Sequence, residues 1–223
     1  MHAVQIIDIA KIKNMKREAP SIVELHIGDE PQVWKNLGFR VENKRCRVGT
    51  IDLVFDQGSK GPGIHSWVLQ NAESPNFGSI KTMSQDFIST ELALDHPNGC
   101  FGIDHVVLRV PEFGRGRIAL EQIGALVGEP EAISKSGPTI LRSAVNMGEV
   151  VVELIGPEQL DPIASWALWG LVMSVREVDE CAKLLGSAVG KVKPAVQKNK
   201  CITTVRKEAG ASVAIAFLGP PAK

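Results

Sequence analysis

Two titratable side chains interrupt strand-like runs of apolar residues in the middle of this sequence. His105 lies within IDHVVLRV, and Glu153 lies within EVVVELIG. Removing a titratable group from water costs free energy unless the group is paired. A divalent metal ion binds neutral imidazole and ionised carboxylate together, so two such residues in one unit indicate a shared ion. We therefore predict His105 and Glu153 as metal ligands, and Glu153 also as the catalytic carboxylate that transfers a proton.

Each of these two residues also has an alternative interpretation. His105 is equally interpreted as a core histidine whose ring nitrogens bond the backbone or Glu153. Glu153 is equally interpreted as a structural carboxylate that meets Arg109 or Arg142. Without a metal ion, a His–Glu pair in a strand could still serve as a general base or as an anchor for a ligand.

Arg109 and Trp169 are the candidate substrate-pocket residues. Arg109 alternates with His105 along the strand, so the two side chains point to one face, and a guanidinium group binds carboxylates and phosphates well. Trp169 adds a large apolar area at the start of a later strand. The alternatives are a solvated arginine at a strand end and a tryptophan that fills the core.

An internal repeat supplies the elements that position these residues. HVVLRV (105–110) aligns with GLVMSV (170–175), and VELIGP (152–157) then aligns with IAFLGP (215–220) with a two-residue difference in spacing. A helical pattern lies between the first and last strand of each unit, over 117–128 and 177–190. The repeat predicts two modules of one strand, one helix and further strands, at 102–157 and 164–220.

The first hundred residues carry a related but less regular pattern. Strands are predicted at 21–28, 40–49, 50–56 and 64–71, with a helix at 30–39, whereas 72–98 has the composition of a loop. Residues 4–12 fit a strand or a short helix. We predict an α+β fold of repeated βαβββ modules in two halves, 1–98 and 99–223, the first half holding a module at 21–56 and a divergent one at 62–98.

The strand DHVVLRV, the following helix and the closing VELIGP resemble the vicinal oxygen chelate superfamily, and HPNGCFGIDHVVLRV is similar to its glyoxalase-like branch. The resemblance covers Val33 to Pro220. It implies curved mixed sheets, a metal-dependent lyase, isomerase or dioxygenase activity on a small oxygen-rich molecule, and a cup that is often built across a dimer. The expected cofactor is a divalent ion such as Zn, Ni, Mn, Co or Fe.

The family pattern transfers to this chain only in part. His105 matches the first-strand ligand and Glu153 the last-strand ligand of a module, but Gly170 and Ala216 stand at the two matching places of the next module. Neither can coordinate a metal. Asp52, in TIDLVF, falls where Glu153 falls in its own module and is the outside candidate for a third ligand.

The composition of the chain argues against nucleic acid and anionic membranes as binding partners. Lys plus Arg and Asp plus Glu are 25 each, so no net charge attracts nucleic acid or an anionic membrane. The four cysteines are scattered without metal-finger spacing, and no run reaches membrane length, which predicts a soluble cytoplasmic protein. No glycine pattern typical of a nucleotide cofactor is present.

Three functions fit these observations. The first is a metal-assisted enzyme on a small molecule, as a monomer or a homodimer. The second is a metal-free protein that binds or sequesters a small molecule, which Gly170 and Ala216 favour. The third is an interaction module without a small ligand, which no specific residue supports.

Overall fold

A computed structural model of the protein describes residues 19–56, 61–72, 76–85 and 94–221. The segment 4–12, for which the sequence left strand and helix open, lies outside these described residues. No helix in the described part of the chain is long and apolar enough to cross a membrane.

The N-terminal strand group contains five strands and one helix among the described residues. These are β1 (Ser21–Ile27), α1 (Pro31–Asn36), β2 (Arg45–Val48), β3 (Ile51–Phe55), β4 (Ile64–Gln70) and β5 (Lys81–Ser84). β1 pairs in parallel with β3 and antiparallel with β4. β5 pairs in parallel with β4, so the described part of the stretch 72–98, which was predicted as loop, includes a strand.

The C-terminal strand group repeats one order of elements twice. The first set is β6 (Cys100–Arg109), α2 (Phe113–Gln122), β7 (Glu131–Ala132), β8 (Ile140–Met147) and β9 (Val150–Pro157). The second is β10 (Ala167–Val175), α3 (Val178–Leu185), β11 (Lys193–Pro194), β12 (Cys201–Thr204) and β13 (Ala214–Gly219). Each set runs βαβββ, with its last strand parallel to its first.

One mixed sheet joins both groups. Its order is β2-β3-β1-β4-β10-β6-β9-β8-β7 among the described residues, with β13, β12 and β11 continuing from β10 and β5 attached to β4. The two groups meet where Leu168 of β10 pairs with Ile64 of β4. This curved mixed sheet with few helices confirms the predicted α+β class and its repeated modules.

The strand register shows how the two C-terminal sets are related. β6 and β10 are antiparallel, and Val106 lies opposite Leu171. These two residues are equivalent in the sequence repeat, so a pseudo-two-fold axis passes between them. His105 therefore lies opposite Val172, and Gly170, the repeat partner of His105, lies opposite Val107.

Alternation along the strands separates a core face from an open face. Val106 and Leu108 of β6 and Val152 and Leu154 of β9 are fully buried in the main core. Their neighbours His105 and Glu153 point to the opposite face, which the helices leave open. Burying the apolar set beneath α2 thus fixes where both titratable side chains point.

Helix α2 begins earlier than its sequence pattern indicated. The helical pattern was predicted over 117–128, whereas the segment GRGR (114–117) already lies in the first turns of α2. A Cβ atom at Gly116 would lie 2.6 Å from Leu154 Cδ1 and 3.0 Å from the Val110 side chain. Glycine is needed there because the helix approaches β9 closely, a packing constraint that helix propensity does not reveal.

Candidate functional site

A cleft of about 870 Å³ opens on the face of the C-terminal strand group that carries His105 and Glu153. β6, β8 and β9 form one wall. The opposite wall comes from β10 and from the hairpin of β11 and β12, including Lys193, Pro194, Ala195, Val196, Gln197 and Ile202. The volume is that of a small-molecule site.

His105 and Glu153 meet in this cleft. His105 Nε2 lies 3.9 Å from Glu153 Oε2, and the two side chains are 18% and 22% exposed. The predicted convergence of these two residues on one face is therefore what the structure shows; their chemical roles stay a prediction.

A β-bulge brings a third group to the pair. His105 lies opposite Val172 and Ile103 lies opposite Met173, so Asp104 is an extra residue in β6. Its side chain consequently lines the cleft beside His105 instead of pointing away. Asp104 Oδ2 lies 2.9 Å from His105 Nδ1, and Lys200 Nζ donates to Asp104 Oδ1 at 3.2 Å.

These contacts define the tautomer of His105. The hydrogen bond from His105, with that from Lys200, holds the pKa of Asp104 below its ordinary value despite burial, so Asp104 is a carboxylate. A carboxylate can only accept, and Nδ1 must therefore carry the ring hydrogen. In the neutral ring, Nε2 then presents its lone pair to the cleft beside Glu153.

Arg142 of β8 occupies the other side of Glu153. Its NH1 group donates to Glu153 Oε1 at 3.3 Å, and its Nε donates to Glu131 Oε1 at 2.8 Å. The hydrogen bonds to Glu131 raise the pKa of Arg142 further above its ordinary range. Glu153 thus has an imidazole beside one oxygen and a guanidinium beside the other.

The part of the opposite wall that Val172, Ala195 and Ile202 form is apolar and lies over a small buried cluster. Val172, Ala216 and Leu218 form a separate buried cluster covered by Ala195 and Ile202. Ala216 is the residue equivalent to Glu153, so apolar packing stands where the sequence repeat would place a second carboxylate. Gly170, the residue equivalent to His105, has no room for a side chain, because a Cβ there would lie 2.9 Å from Ala214 O.

The donor set does not fit a resident divalent metal ion. His105 Nε2 and Glu153 Oε2 are two donors, whereas protein sites for such ions use three or four. No group of three or more His, Cys, Asp or Glu side chains within the described ranges is arranged to hold a metal ion. The guanidinium of Arg142 also places a fixed positive charge against Glu153, where an ion would otherwise supply it.

Asp52 is not brought together with His105 and Glu153. It lies in β3 opposite Glu24, is 6% exposed, and does not line the cleft. Arg47 NH1 contacts Asp52 Oδ2 at 3.2 Å, and Arg45 NH1 contacts it at 3.4 Å. These ion pairs give Asp52 a structural role at the place that matches Glu153.

Arg109 and Trp169 lie away from the cleft wall, toward the end of β6 where β10 begins. The guanidinium carbon of Arg109 is 6.0 Å from the centre of the Trp169 ring, a cation–π arrangement. Trp169 is 52% exposed, so it does not fill the core. Neither residue lines the 870 Å³ cleft, and their predicted role as substrate contacts is not supported there.

The N-terminal strand group carries its own histidine cluster. His26 contacts Glu24 Oε2 through Nε2 at 3.1 Å and Asp56 Oδ2 through Nδ1 at 3.3 Å. His65 Nε2 lies 2.5 Å from Asp56 Oδ1. The hydrogen bond with Glu24 outweighs burial and, with that to Asp56, raises the pKa of His26 above its ordinary value.

Asp104, Arg142, Glu131 and Lys200 are the site residues that the sequence did not single out as a group. Asp104 directly precedes His105, but alternation places adjacent strand residues on opposite faces, and only the bulge overturns that rule. Arg142 was one of two arginines named as partners for Glu153, and the structure selects it over Arg109. Lys200 belongs to a run of basic residues whose pattern indicates a solvated edge.

No protein-family model and no curated protein matches this sequence. Two solved structures match it in fold with TM-scores above 0.5, at 14% and 13% sequence identity. The βαβββ repeats paired through their first strands give the chain the fold of the vicinal oxygen chelate superfamily, as the resemblance in the sequence implied.

Particular neighbours show how much of the chain shares this arrangement. A triple mutant of 4-hydroxymandelate synthase from Streptomyces coelicolor is 14% identical with a TM-score of 0.62, covering 91% of this chain and 93% of that chain. A fusion of a xylose isomerase-like TIM barrel with a 4-hydroxyphenylpyruvate dioxygenase is 13% identical with a TM-score of 0.55, covering 93% of this chain and 50% of that one. Methylmalonyl-CoA epimerase from Mycobacterium tuberculosis is 14% identical with a TM-score of 0.43, covering 61% and 95%. At these identities the likeness to the first two of these structures establishes the fold alone.

Proposed function

We propose that the protein is an acid–base enzyme that binds a small oxygen-rich molecule in the cleft, with His105 as general base. The observation that carries the proposal is the orientation of His105. Asp104 engages Nδ1, and Nε2 stands in an 870 Å³ cleft beside Glu153. A base needs its free nitrogen directed at bound substrate and its ring fixed by a second group, and this arrangement provides both.

The reaction class is proton abstraction from a carbon next to a carbonyl group. His105 Nε2 takes the proton, and the electron pair of the broken C–H bond moves onto the carbonyl oxygen to form an enolate. Return of a proton to a different carbon or face gives an isomerase, and loss of a neighbouring group gives a lyase. Glu153, 3.9 Å from Nε2, is the second proton-transferring group.

Arg142 is placed to stabilise the negative charge that develops on the substrate oxygen. Its side chain is one-third exposed and lines the cleft next to Glu153. A fixed guanidinium group stabilises an oxyanion without reorganisation during the reaction. The charge that a metal ion supplies in a chelating site is therefore assigned to Arg142.

The divalent ion implied by the resemblance, whether Zn, Ni, Mn, Co or Fe, is not part of this proposal. His105 and Glu153 provide two donors, Gly170 and Ala216 provide none, and Asp52 is engaged with Arg47 elsewhere. The dioxygenase outcome, which needs such an ion, is likewise not carried forward.

A second candidate is a protein that binds its ligand in the cleft without converting it. The apolar part of the cleft wall, formed by Val172, Ala195 and Ile202, favours it, because an apolar surface facing a few polar groups suits retention of a partly hydrophobic molecule. The same ligand would then bind without proton exchange.

Solvent exchange separates these possibilities. The full-length protein, purified without a His tag, is incubated in D₂O with pyruvate, phenylpyruvate or hydroxyacetone, and proton NMR follows the C–H signals next to the carbonyl. We expect catalysed deuterium incorporation that survives chelator treatment and is lost in His105→Gln. Elemental analysis of the same sample should show substoichiometric metal.

Three results would decide against the proposal. Stoichiometric metal whose removal abolishes exchange would restore the metal-assisted enzyme. A ligand that raises the melting temperature without any exchange would favour the binding protein. Exchange that persists unchanged in His105→Gln would place the base elsewhere.

We also propose that the protein works in the cytoplasm and that one chain is sufficient to form the cleft. All four cysteines are free thiols, and Cys46, Cys100 and Cys181 are buried, which supports a reducing compartment such as the cytoplasm. The cleft of the C-terminal strand group forms within one chain, because β6 and β10 pair directly with each other. A homodimer would therefore be an addition to the site, and light scattering of the purified protein tests it.

A further inference from the structure

The hairpin formed by β11 and β12 covers one side of the cleft. Lys193 pairs with Ile202 and Pro194 with Cys201, and the loop between them closes through Ala195 N donating to Lys200 O at 2.9 Å. Lys200 N in turn donates to Gln197 O at 3.2 Å. The loop is thus a compact unit whose position determines the width of the cleft.

Lys200 connects this loop to the opposite wall. Its ammonium group donates to Asp104 Oδ1 at 3.2 Å, while Asp104 Oδ2 accepts from His105 Nδ1 at 2.9 Å. One carboxylate therefore uses one oxygen for the hairpin and the other for the histidine. Asp104 itself occupies a bulge, where backbone pairing constrains it less than its neighbours.

We propose that Lys200 is a positioning residue that holds Asp104 against His105 and holds the hairpin loop over the cleft. The proposal rests on the proposed function in that His105 is the acting group. Lys200 contacts the base only through Asp104, so its contribution is to orientation. Without it, one oxygen of Asp104 loses its partner, the carboxylate rotates more freely in the bulge, and the Nδ1–H tautomer of His105 loses its selective support.

The test compares Lys200→Met, Lys200→Arg and the matched control Lys198→Met, which removes an exposed lysine from the same loop. Nitrogen-15 NMR of the histidine rings, with the His105 signals assigned by their absence in His105→Gln, reports the tautomer. Backbone hydrogen exchange reports the closure of the loop at Ala195 and Lys200.

Wild type, Lys200→Arg and Lys198→Met should show the Nδ1–H tautomer. Lys200→Met should show a mixture of tautomers and exchange at Ala195 faster by about threefold or more. Asp104→Asn, which breaks the same bridge from its other side, should free the loop equally. An unchanged tautomer and unchanged exchange in Lys200→Met would overturn the proposal.

Neither measurement requires a ligand. The positioning role of Lys200 can therefore be refuted independently of the proposed enzyme activity. A changed spectrum in Lys200→Met without any catalysed exchange of substrate protons would refute the enzyme and retain the positioning role. Catalysed exchange of substrate protons together with an unaltered Lys200→Met spectrum would refute the positioning role and retain the enzyme.

Discussion

Both strand groups place a histidine beside carboxylates, His26 in the N-terminal group and His105 in the C-terminal group. The two differ in how many ring nitrogens the carboxylates bind. In the N-terminal group, Glu24 and Asp56 engage both ring nitrogens of His26. In the C-terminal group, Asp104 engages only Nδ1 of His105, and Nε2 faces a cleft. Proximity of histidine and carboxylate therefore does not define a site; an unengaged nitrogen beside a cavity does.

The last strands of the two groups differ in the same way. Asp52 faces Glu24 across β3 and β1, as Glu153 faces Val107 across β9 and β6. Asp52 is buried against Arg47, whereas Glu153 is partly exposed between His105 and Arg142. Matching positions in a repeated module thus hold a structural carboxylate in one group and a candidate reactive carboxylate in the other.

The largest expected effect is on the rate of solvent exchange, which should distinguish a substitution at His105 from one at His26. His105→Gln should lower catalysed solvent exchange of the substrate by about 10² to 10⁴-fold, the usual contribution of a general base. His26→Gln, which changes a strand histidine outside the cleft, should leave the rate within about twofold. Rates from proton NMR in D₂O check both, and equal losses in the two variants would erase the distinction.

The next effect separates the two carboxylates through stability. Asp52→Asn removes the negative charge that faces the buried guanidinium of Arg47 and should lower the free energy of unfolding by about 3 kcal/mol. Glu153→Gln breaks a partly exposed pair with Arg142 and should cost less than about 1 kcal/mol. Urea unfolding monitored by circular dichroism measures both. A larger loss of stability in Glu153→Gln would reverse the assignment of roles.

A smaller effect concerns Gly170, the glycine at the repeat position equivalent to His105. A Cβ at Gly170 would meet Ala214 O, so Gly170→Ala should destabilise the protein by about 1 to 3 kcal/mol. Gly102→Ala in the paired strand β6 is the control, because nothing lies within 4 Å of a Cβ there. Thermal unfolding compares the two variants, and equal stability would mean that Gly170 leaves room for a ligand side chain.

The smallest effect is a pH dependence specific to the N-terminal cluster. Because the pKa of His26 is raised above its unfolded value near 6.5, its contribution to stability is complete below that pH. It is lost as the pH rises through the folded pKa of His26. Wild type should therefore lose stability relative to His26→Gln between pH 6 and the alkaline side of neutrality, as urea unfolding at each pH would show. A difference independent of pH would contradict the protonated pair with Glu24.

Part of the site could be predicted from sequence because it depends on strand alternation alone. His105 and Glu153 lie in first and last strands of one module, and burial of Val106 and Leu154 forces both onto the open face. The absence of ligands at Gly170 and Ala216 also followed from the repeat, and the steric contact with Ala214 now explains the first of them.

The remainder depends on irregularities and long-range contacts that no periodicity encodes. Asp104 reaches the cleft only through a bulge, and Lys200 reaches Asp104 only because the hairpin folds over the cleft, 96 residues along the chain. Asp52 was predicted to help bind an ion because it matches Glu153, but in the structure it forms ion pairs with Arg45 and Arg47 of the neighbouring strand β2.

Titration of nitrogen-15 histidine-labelled protein with phenylpyruvate is the most direct test of whether His105, and not His26, meets the ligand. It observes both ring nitrogens of His105 and of His26. We expect the signal of His105 Nε2 to shift as ligand enters the cleft, while the signals of His26 stay unchanged. A ligand that binds without moving the His105 signals, or that moves those of His26 instead, would contradict it.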